Sequence, residues 1–174
     1  MRFKIRQAIF EDAPKLAAVE RSACERFRAL VDLAWIADEE PTALDDHVAL
    51  IGAGTVWVAV DGVDVSGFLL AERCGDELHI CEFAVLRPLQ GQGIGTLLVH
   101  AAKEYARATG LRALTLTTFR GLSWNEPFYQ HLGFETLEAG NLDKRLRSML
   151  AREILIGLPV ERRCAMRLVV NRAA

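Results

Sequence analysis

The chain has 174 residues, 51% of them apolar and 25% charged, with a formal net charge of −2 at pH 7. That length and apolar share can fill one hydrophobic core without disulfides or a structural metal, so a single domain over residues 1–174 is expected. A near-neutral charge with no Lys/Arg block leaves no electrostatic footprint for a nucleic acid or an anionic membrane as partner.

Residues 3–6, Phe-Lys-Ile-Arg, alternate apolar and polar and read as a first strand. A turn at Phe10-Glu11-Asp12 follows. Asp12 is placed to cap a helix whose first position holds Pro14 and whose buried stripe is Leu16, Val19, Ala23 and Phe27. A second helix over 43–51 has Thr42 as its expected N-cap, Asp45 three residues on, and a stop at Gly52 and Gly54. Asp38, Glu39, Glu40, Asp45 and Asp46 surround its start, either as a solvated cap region or as a wall that attracts a cationic amine. Residues 55–60 and 65–70 read as a strand pair joined around Asp61-Gly62, and a turn at Cys74-Gly75-Asp76 leads to a strand over 78–85.

That strand runs into Gln90-Gly91-Gln92-Gly93-Ile94-Gly95-Thr96 and straight into a helix over 94–108, whose apolar residues Ile94, Leu97, Leu98, Ala101, Ala102 and Tyr105 repeat with helical period. Glycines at 91, 93 and 95 let the backbone bend tightly and let a ligand approach successive N–H groups. The helix start adds unpaired N–H groups and a partial positive charge, so a phosphate or diphosphate is the natural guest. Without a guest, the same residues make a tight strand-to-helix turn. A dinucleotide fingerprint would need glycine where Thr96 stands, and a triphosphate loop would need a lysine well before Lys103.

A further strand over 114–118 makes the sheet mixed rather than fully parallel. Asn125 then stands as N-cap and Pro127 in the first turn of a short helix stopped by Gly133. Leu142, Leu146, Met149, Leu150 and Ile154 describe an amphipathic helix closed by Gly157 and Pro159, and a last strand covers 165–170. Cysteines 24, 74, 81 and 164 lack C-x-x-C spacing, which fits small buried or half-buried side chains in a reducing compartment rather than a metal site. The N-terminal stretch has no apolar signal region, and no apolar run approaches about 20 residues, so a cytoplasmic protein is expected.

Gln90-x-x-Gly93-x-Gly95 resembles the Arg/Gln-x-x-Gly-x-Gly/Ala signature of the GNAT acyl-CoA N-acyltransferases. Asn125 with Tyr129, Leu132, Gly133 and Phe134 resembles that family's second hallmark, although Asn125 stands nearer to the tyrosine than in many members. The opening, Ile5-Arg6-x-Ala8 followed by Asp12 and Leu16, is similar to the family's first strand and helix. The resemblance implies an α/β (α+β) fold with a mixed, mostly antiparallel central sheet and flanking helices. It implies acetyl-CoA as co-substrate, with the diphosphate held by Gln90, Gly91, Gln92, Gly93, Ile94, Gly95 and Thr96, the pantetheine along Phe83, Ala84 and Val85, and a further cofactor contact at Asn125. Tyr129, by its place in the second hallmark, would give a proton to the departing thiolate.

Acyl transfer from a thioester to an amine needs a neutral amine, a polarised carbonyl and a proton for the leaving group. An ammonium with pKa near 10.4 is about 99.9% protonated at neutral pH, so presenting the free base costs roughly 4–5 kcal/mol unless a base helps. Glu82 and His79, on the strand before the turn, are the candidates, acting directly or through a water. Strand alternation sends them to opposite faces, and Glu82 is narrowly favoured. A backbone N–H at or near Val85 would polarise the carbonyl. Two activities follow: transfer of an acetyl group to a primary amine of a small molecule, peptide terminus or lysine, or non-catalytic sensing of acyl-CoA. Generic nucleotide binding is disfavoured by the glycine spacing. Residue patterns leave the acceptor open and leave room for a homodimer.

Overall fold

Strands β1 (Lys4–Gln7), β2 (Val56–Asp61), β3 (Asp64–Cys74), β4 (Glu77–Val85), β5 (Ala113–Phe119), β6 (Glu135–Thr136) and β7 (Arg163–Val169) join in one sheet, in the order β1-β2-β3-β4-β5-β7-β6. The structure, a computed structural model, describes residues 3–171. Among the described residues, five α-helices flank the strands in sequence: α1 (Ala13–Cys24), α2 (Leu44–Gly52), α3 (Ile94–Ala108), α4 (Glu126–His131) and α5 (Lys144–Leu155). β2 pairs antiparallel with β1 and β3, and β7 antiparallel with β5 and β6, whereas β4 runs parallel to β5 with Glu77–Ile80 opposite residues 113–116. The sheet is therefore mixed and mostly antiparallel, as the element order predicts. Among the described residues no helix is long and apolar enough to cross a membrane.

The chain divides into two compact units. The first comprises the residues up to Arg73 together with Cys81–Tyr105. Its central strands are buried along their length, Val56 to Val60 in β2 and Val65 to Ala71 in β3, so apart from Ser66 and Gly67 they read as apolar runs rather than as alternation. Leu16 and Val19 of α1 and Ile51 of α2 pack with Val58, Phe68 and Leu70 in one core cluster. Gly62, at φ +64°, makes the tight turn between β2 and β3, where a side chain would be strained.

Two caps differ from the expectation. Asp12 immediately precedes α1, yet its carboxylate does not cap the helix. It accepts two bonds from the Arg6 guanidinium, at 2.6 and 3.0 Å, and the Ile9 N–H at 2.9 Å, and so ties β1 to the helix start. Burial alone would raise the Asp12 pKa, but Arg6 and the Ile9 amide outweigh it and hold the carboxyl below its ordinary value. Helix α2 begins after Ala43 rather than Thr42, because the N–H and hydroxyl of Thr42 are drawn to the Glu20 carboxylate on α1.

The second unit comprises Cys74–Ile80 and the chain from Ala106 onward. Asp143 caps α5 by accepting the Leu146 N–H at 2.8 Å. Of the predicted apolar stripe only Leu146 is fully buried, while Met149 and Leu150 are half-buried and Ile154 is exposed. Ions complete the attachment. Glu153 accepts the Thr117 hydroxyl at 2.5 Å and the Arg163 Nε at 2.8 Å, and the Arg163 guanidinium lies 4.3 Å from the Phe119 ring centroid.

Candidate active site

In the first unit, β4 ends at Val85 and a single 3-10 turn, Arg87–Leu89, leads into the glycine run. Gly91 and Gly93 have φ of +77° and +83°, the left-handed region that glycine enters without strain. A Cβ built on either would meet no atom within 4 Å, so backbone conformation, not crowding, demands glycine there, and the space above the turn is open. The first bond of α3 runs from the Leu97 N–H to the Gly93 carbonyl at 3.2 Å, which leaves the amides of Ile94, Gly95 and Thr96 without intrahelical acceptors. No acidic residue stands in that first turn to oppose an anion. Gln90 and Gln92 turn their side-chain amides onto the carbonyls of Val85 and Pro88, at 3.1 and 3.4 Å, so here main-chain N–H groups are the donors suited to a diphosphate.

Gly67 of β3 lies beneath this turn. A Cβ there would come within 3.0 Å of the Ala84 carbonyl oxygen, 3.1 Å of Val85 Cγ2 and 3.3 Å of Ile94 Cγ2. Its missing side chain lets β3 approach the end of β4 and the start of α3 closely enough to bury Ile94. A glycine inside an apolar strand is the sequence signal for such an approach, although the position draws little notice beside the glycine-dense turn.

Glu82 is half-buried, with Oε1 accepting the Phe83 N–H at 3.2 Å. Burial and the charge of Glu20 push its carboxyl up to about 8, against a smaller opposing effect of the Phe83 amide. Glu20 is itself buried on α1, where burial outweighs the Thr42 bonds and raises its pKa. Cys24, one turn further along α1, completes the group: burial, Glu82 and Glu20 drive its thiol up to about 12 and keep it protonated. Glu20 had no signal in the sequence, since one glutamate in an amphipathic helix looks like a solvated face residue.

In the second unit, His79 is buried on β4 and its Nδ1 is met by the Thr115 hydroxyl at 3.0 Å and by Arg145 Nη1 at 3.1 Å. A guanidinium only donates, so Nδ1 must be an acceptor, and a neutral ring then carries its proton on Nε2. Burial and the Arg145 charge lower the His79 pKa to about 4. With its acceptor nitrogen occupied and the other protonated, this imidazole has no lone pair to offer a substrate proton. Beside it the Glu77 carboxylate, buried at 4% side-chain exposure, receives Arg145 at 2.7 Å, Arg167 at 3.0 Å and Arg112 at 3.2 Å.

Tyr129 lies in α4, buried, with its ring edge-on to Phe128 and Phe134 at centroid distances of 5.1 and 5.5 Å. The Phe134 N–H closes the turn after Gly133 onto the Tyr129 carbonyl, which fixes the hallmark's geometry. Asn125 occupies the N-cap position, yet its Nδ2 donates to Thr118 Oγ1 at 2.9 Å instead of capping α4, and its buried Oδ1 has no protein partner. That orphaned acceptor suits a ligand N–H or a water. The proposed site residues thus fall into two sets: Glu82, Phe83, Ala84, Val85 and 90–96 in the first unit, and His79, Asn125 and Tyr129 in the second.

Known proteins resemble the chain in sequence and in fold. The model of the acetyltransferase (GNAT) family matches residues 17–134. The chain is 27% identical over 154 residues to the uncharacterized N-acetyltransferase YjgM of Escherichia coli K12, covering 83% of this chain and 92% of that protein. A 74-residue stretch, 41% of this chain and 22% of the other, is 45% identical to mouse N-alpha-acetyltransferase 80. Its fold matches the crystal structure of PaiA N-acetyltransferase from Thermoplasma acidophilum in complex with coenzyme A, with a TM-score of 0.72 at 17% identity over 97% of this chain and 99% of that one. The chain belongs to the GNAT acetyltransferase family and is an acetyl-CoA-dependent N-acetyltransferase.

Proposed function

We propose that the protein, acting as one catalytic domain, transfers the acetyl group of acetyl-CoA directly to a primary amine of a small molecule, a peptide terminus or a lysine. The observation that carries the cofactor part is the open glycine turn at the head of α3, with left-handed glycines, free space above them and no acidic residue in the helix's first turn. Bound there, acetyl-CoA supplies the activated acetyl thioester. Backbone amides from 91 to 96 hold the diphosphate, Phe83, Ala84 and Val85 line the pantetheine, an N–H near Val85 polarises the carbonyl, and Asn125 Oδ1 accepts a cofactor N–H.

Glu82 is the base in this reading. A carboxyl that titrates near 8 is half ionised at that pH and accepts a proton from an ammonium far more readily than one at the usual value. An arriving ammonium also lowers the Glu82 pKa by its own charge, so substrate binding prepares the base. Glu20, with Glu82, makes this part of the first unit acidic and favours an acceptor that arrives as a cation. His79 is a positioning residue held neutral by Arg145 and Thr115. Tyr129 returns a proton to the departing thiolate.

Purified protein incubated with acetyl-CoA and a panel of primary amines should release free thiol with at least one of them. No turnover on a broad panel, with coenzyme A still bound, would favour the non-catalytic sensor instead.

A further inference from the structure

Arg26 stands in the 3-10 helix Glu25–Ala29 that follows α1, and its Nη1 donates to the side-chain oxygen of Gln90 at 3.2 Å. Arg87 Nη1 donates to that same oxygen at 3.4 Å. Two guanidiniums thereby converge on one neutral amide at the first residue of the glycine turn. Gln90 is held in place by its own bond to the Val85 carbonyl, and the Arg87 main chain by the Ser22 hydroxyl, which accepts its N–H at 3.0 Å. Glu25 and Asp38 are engaged by Arg28. Burial and the charge of Arg87 both lower the Arg26 pKa, the mark of two cations pressed together.

We propose that Arg26 and Arg87 form a second anion subsite beside the turn, which takes a phosphoryl oxygen of the cofactor's diphosphate in place of the Gln90 amide oxygen. A phosphoryl oxygen is a stronger acceptor for guanidinium than a neutral amide and relieves the repulsion between the two cations. The subsite lies outside the glycine motif, since Arg26 comes from the segment between α1 and α2. Occupancy of the turn is thereby linked to that segment, whose far end is held by Glu20 through Thr42. The inference rests on the reading that the turn binds coenzyme A.

The test is calorimetric titration of the full chain with coenzyme A and with 3′-dephospho-coenzyme A, which keeps the diphosphate and lacks the third phosphate. Arg26→Gln should weaken both ligands equally, by about ten-fold, and Arg26→Lys should recover part of the loss. The dependence of affinity on salt should become shallower in Arg26→Gln, because one phosphate contact is gone. Arg87→Gln, at an exposed position, should show the same pattern more weakly and serves as the second variant if Arg26→Gln folds poorly. Unchanged affinity in both variants, with the parent binding well, would overturn the subsite. Loss of affinity for coenzyme A but not for its dephospho form would overturn it too, since the guest would then be the third phosphate. If the parent binds neither compound, the assignment of the turn fails first and takes the subsite with it.

Discussion

Strand β4 carries two glutamates in opposite surroundings. Glu77, at its start, is sealed from solvent and met by three guanidiniums. Glu82, towards its end, accepts the Phe83 N–H, and burial and the charge of Glu20 raise its pKa. Identical side chains on one strand thus stand beside charges of opposite sign. Three guanidiniums make Glu77 an anchor, whereas burial and a second carboxylate push the Glu82 carboxyl up to about 8 and leave a group able to exchange its proton near that pH. His79 belongs to the first kind of surrounding, because Arg145 occupies the nitrogen a base would need.

The largest effect should come from removing the exchangeable group. Glu82→Gln is expected to lower kcat/KM by about 10²- to 10⁴-fold with coenzyme A affinity nearly unchanged, read by thiol release and calorimetry. Near-parental turnover would erase the functional side of the contrast. Glu77→Ala should act on stability instead, costing about 3–5 kcal/mol in urea unfolding because three arginines lose their buried partner. A loss below about 1 kcal/mol would mean that Glu77 is no anchor.

Tyr129→Phe, which keeps the ring packing against Phe128 and Phe134, should lower turnover by about 10²-fold and leave cofactor affinity alone. Equal activity would remove Tyr129 from the chemistry. A smaller signature lies in the pH dependence of stability. The folded state holds the Glu82 proton more tightly than the unfolded chain does. That contribution to stability is complete below the ordinary carboxylate range and is lost as pH rises through about 8. Glu82→Gln should therefore match the parent at pH 4 and exceed it at pH 9, whereas equal curves at both would contradict the raised affinity. Glu20→Gln should sharpen the same point by moving the alkaline change in parental stability to lower pH, without abolishing it.

Local chemistry was readable along the chain. The helix over 94–108 stands where its apolar period put it, and Gly91, Gly93 and Gly133 take the left-handed conformations their turns demanded. What stayed hidden were side-chain partners far apart in sequence. Asp12 looked like a cap, but Arg6 and the Ile9 amide claim its carboxylate, and Thr42 lost the start of α2 to Glu20. The cluster around Glu77 draws arginines from α5, from β7 and from the residue before β5, and nothing in spacing or periodicity announces such a convergence. For the same reason the candidates His79 and Glu82 looked nearly equal in the sequence. Only the guanidinium against one and the carboxylate near the other tell them apart.

The most direct test is a titration of the side-chain carboxyl carbons by NMR in protein labelled at glutamate, with the Glu82 signal assigned by its loss in Glu82→Gln. A midpoint close to 8 that falls in Glu20→Gln is the predicted result. A signal that titrates in the ordinary carboxylate range, unmoved by the change at Glu20, would contradict Glu82 as a base poised for the acceptor's proton.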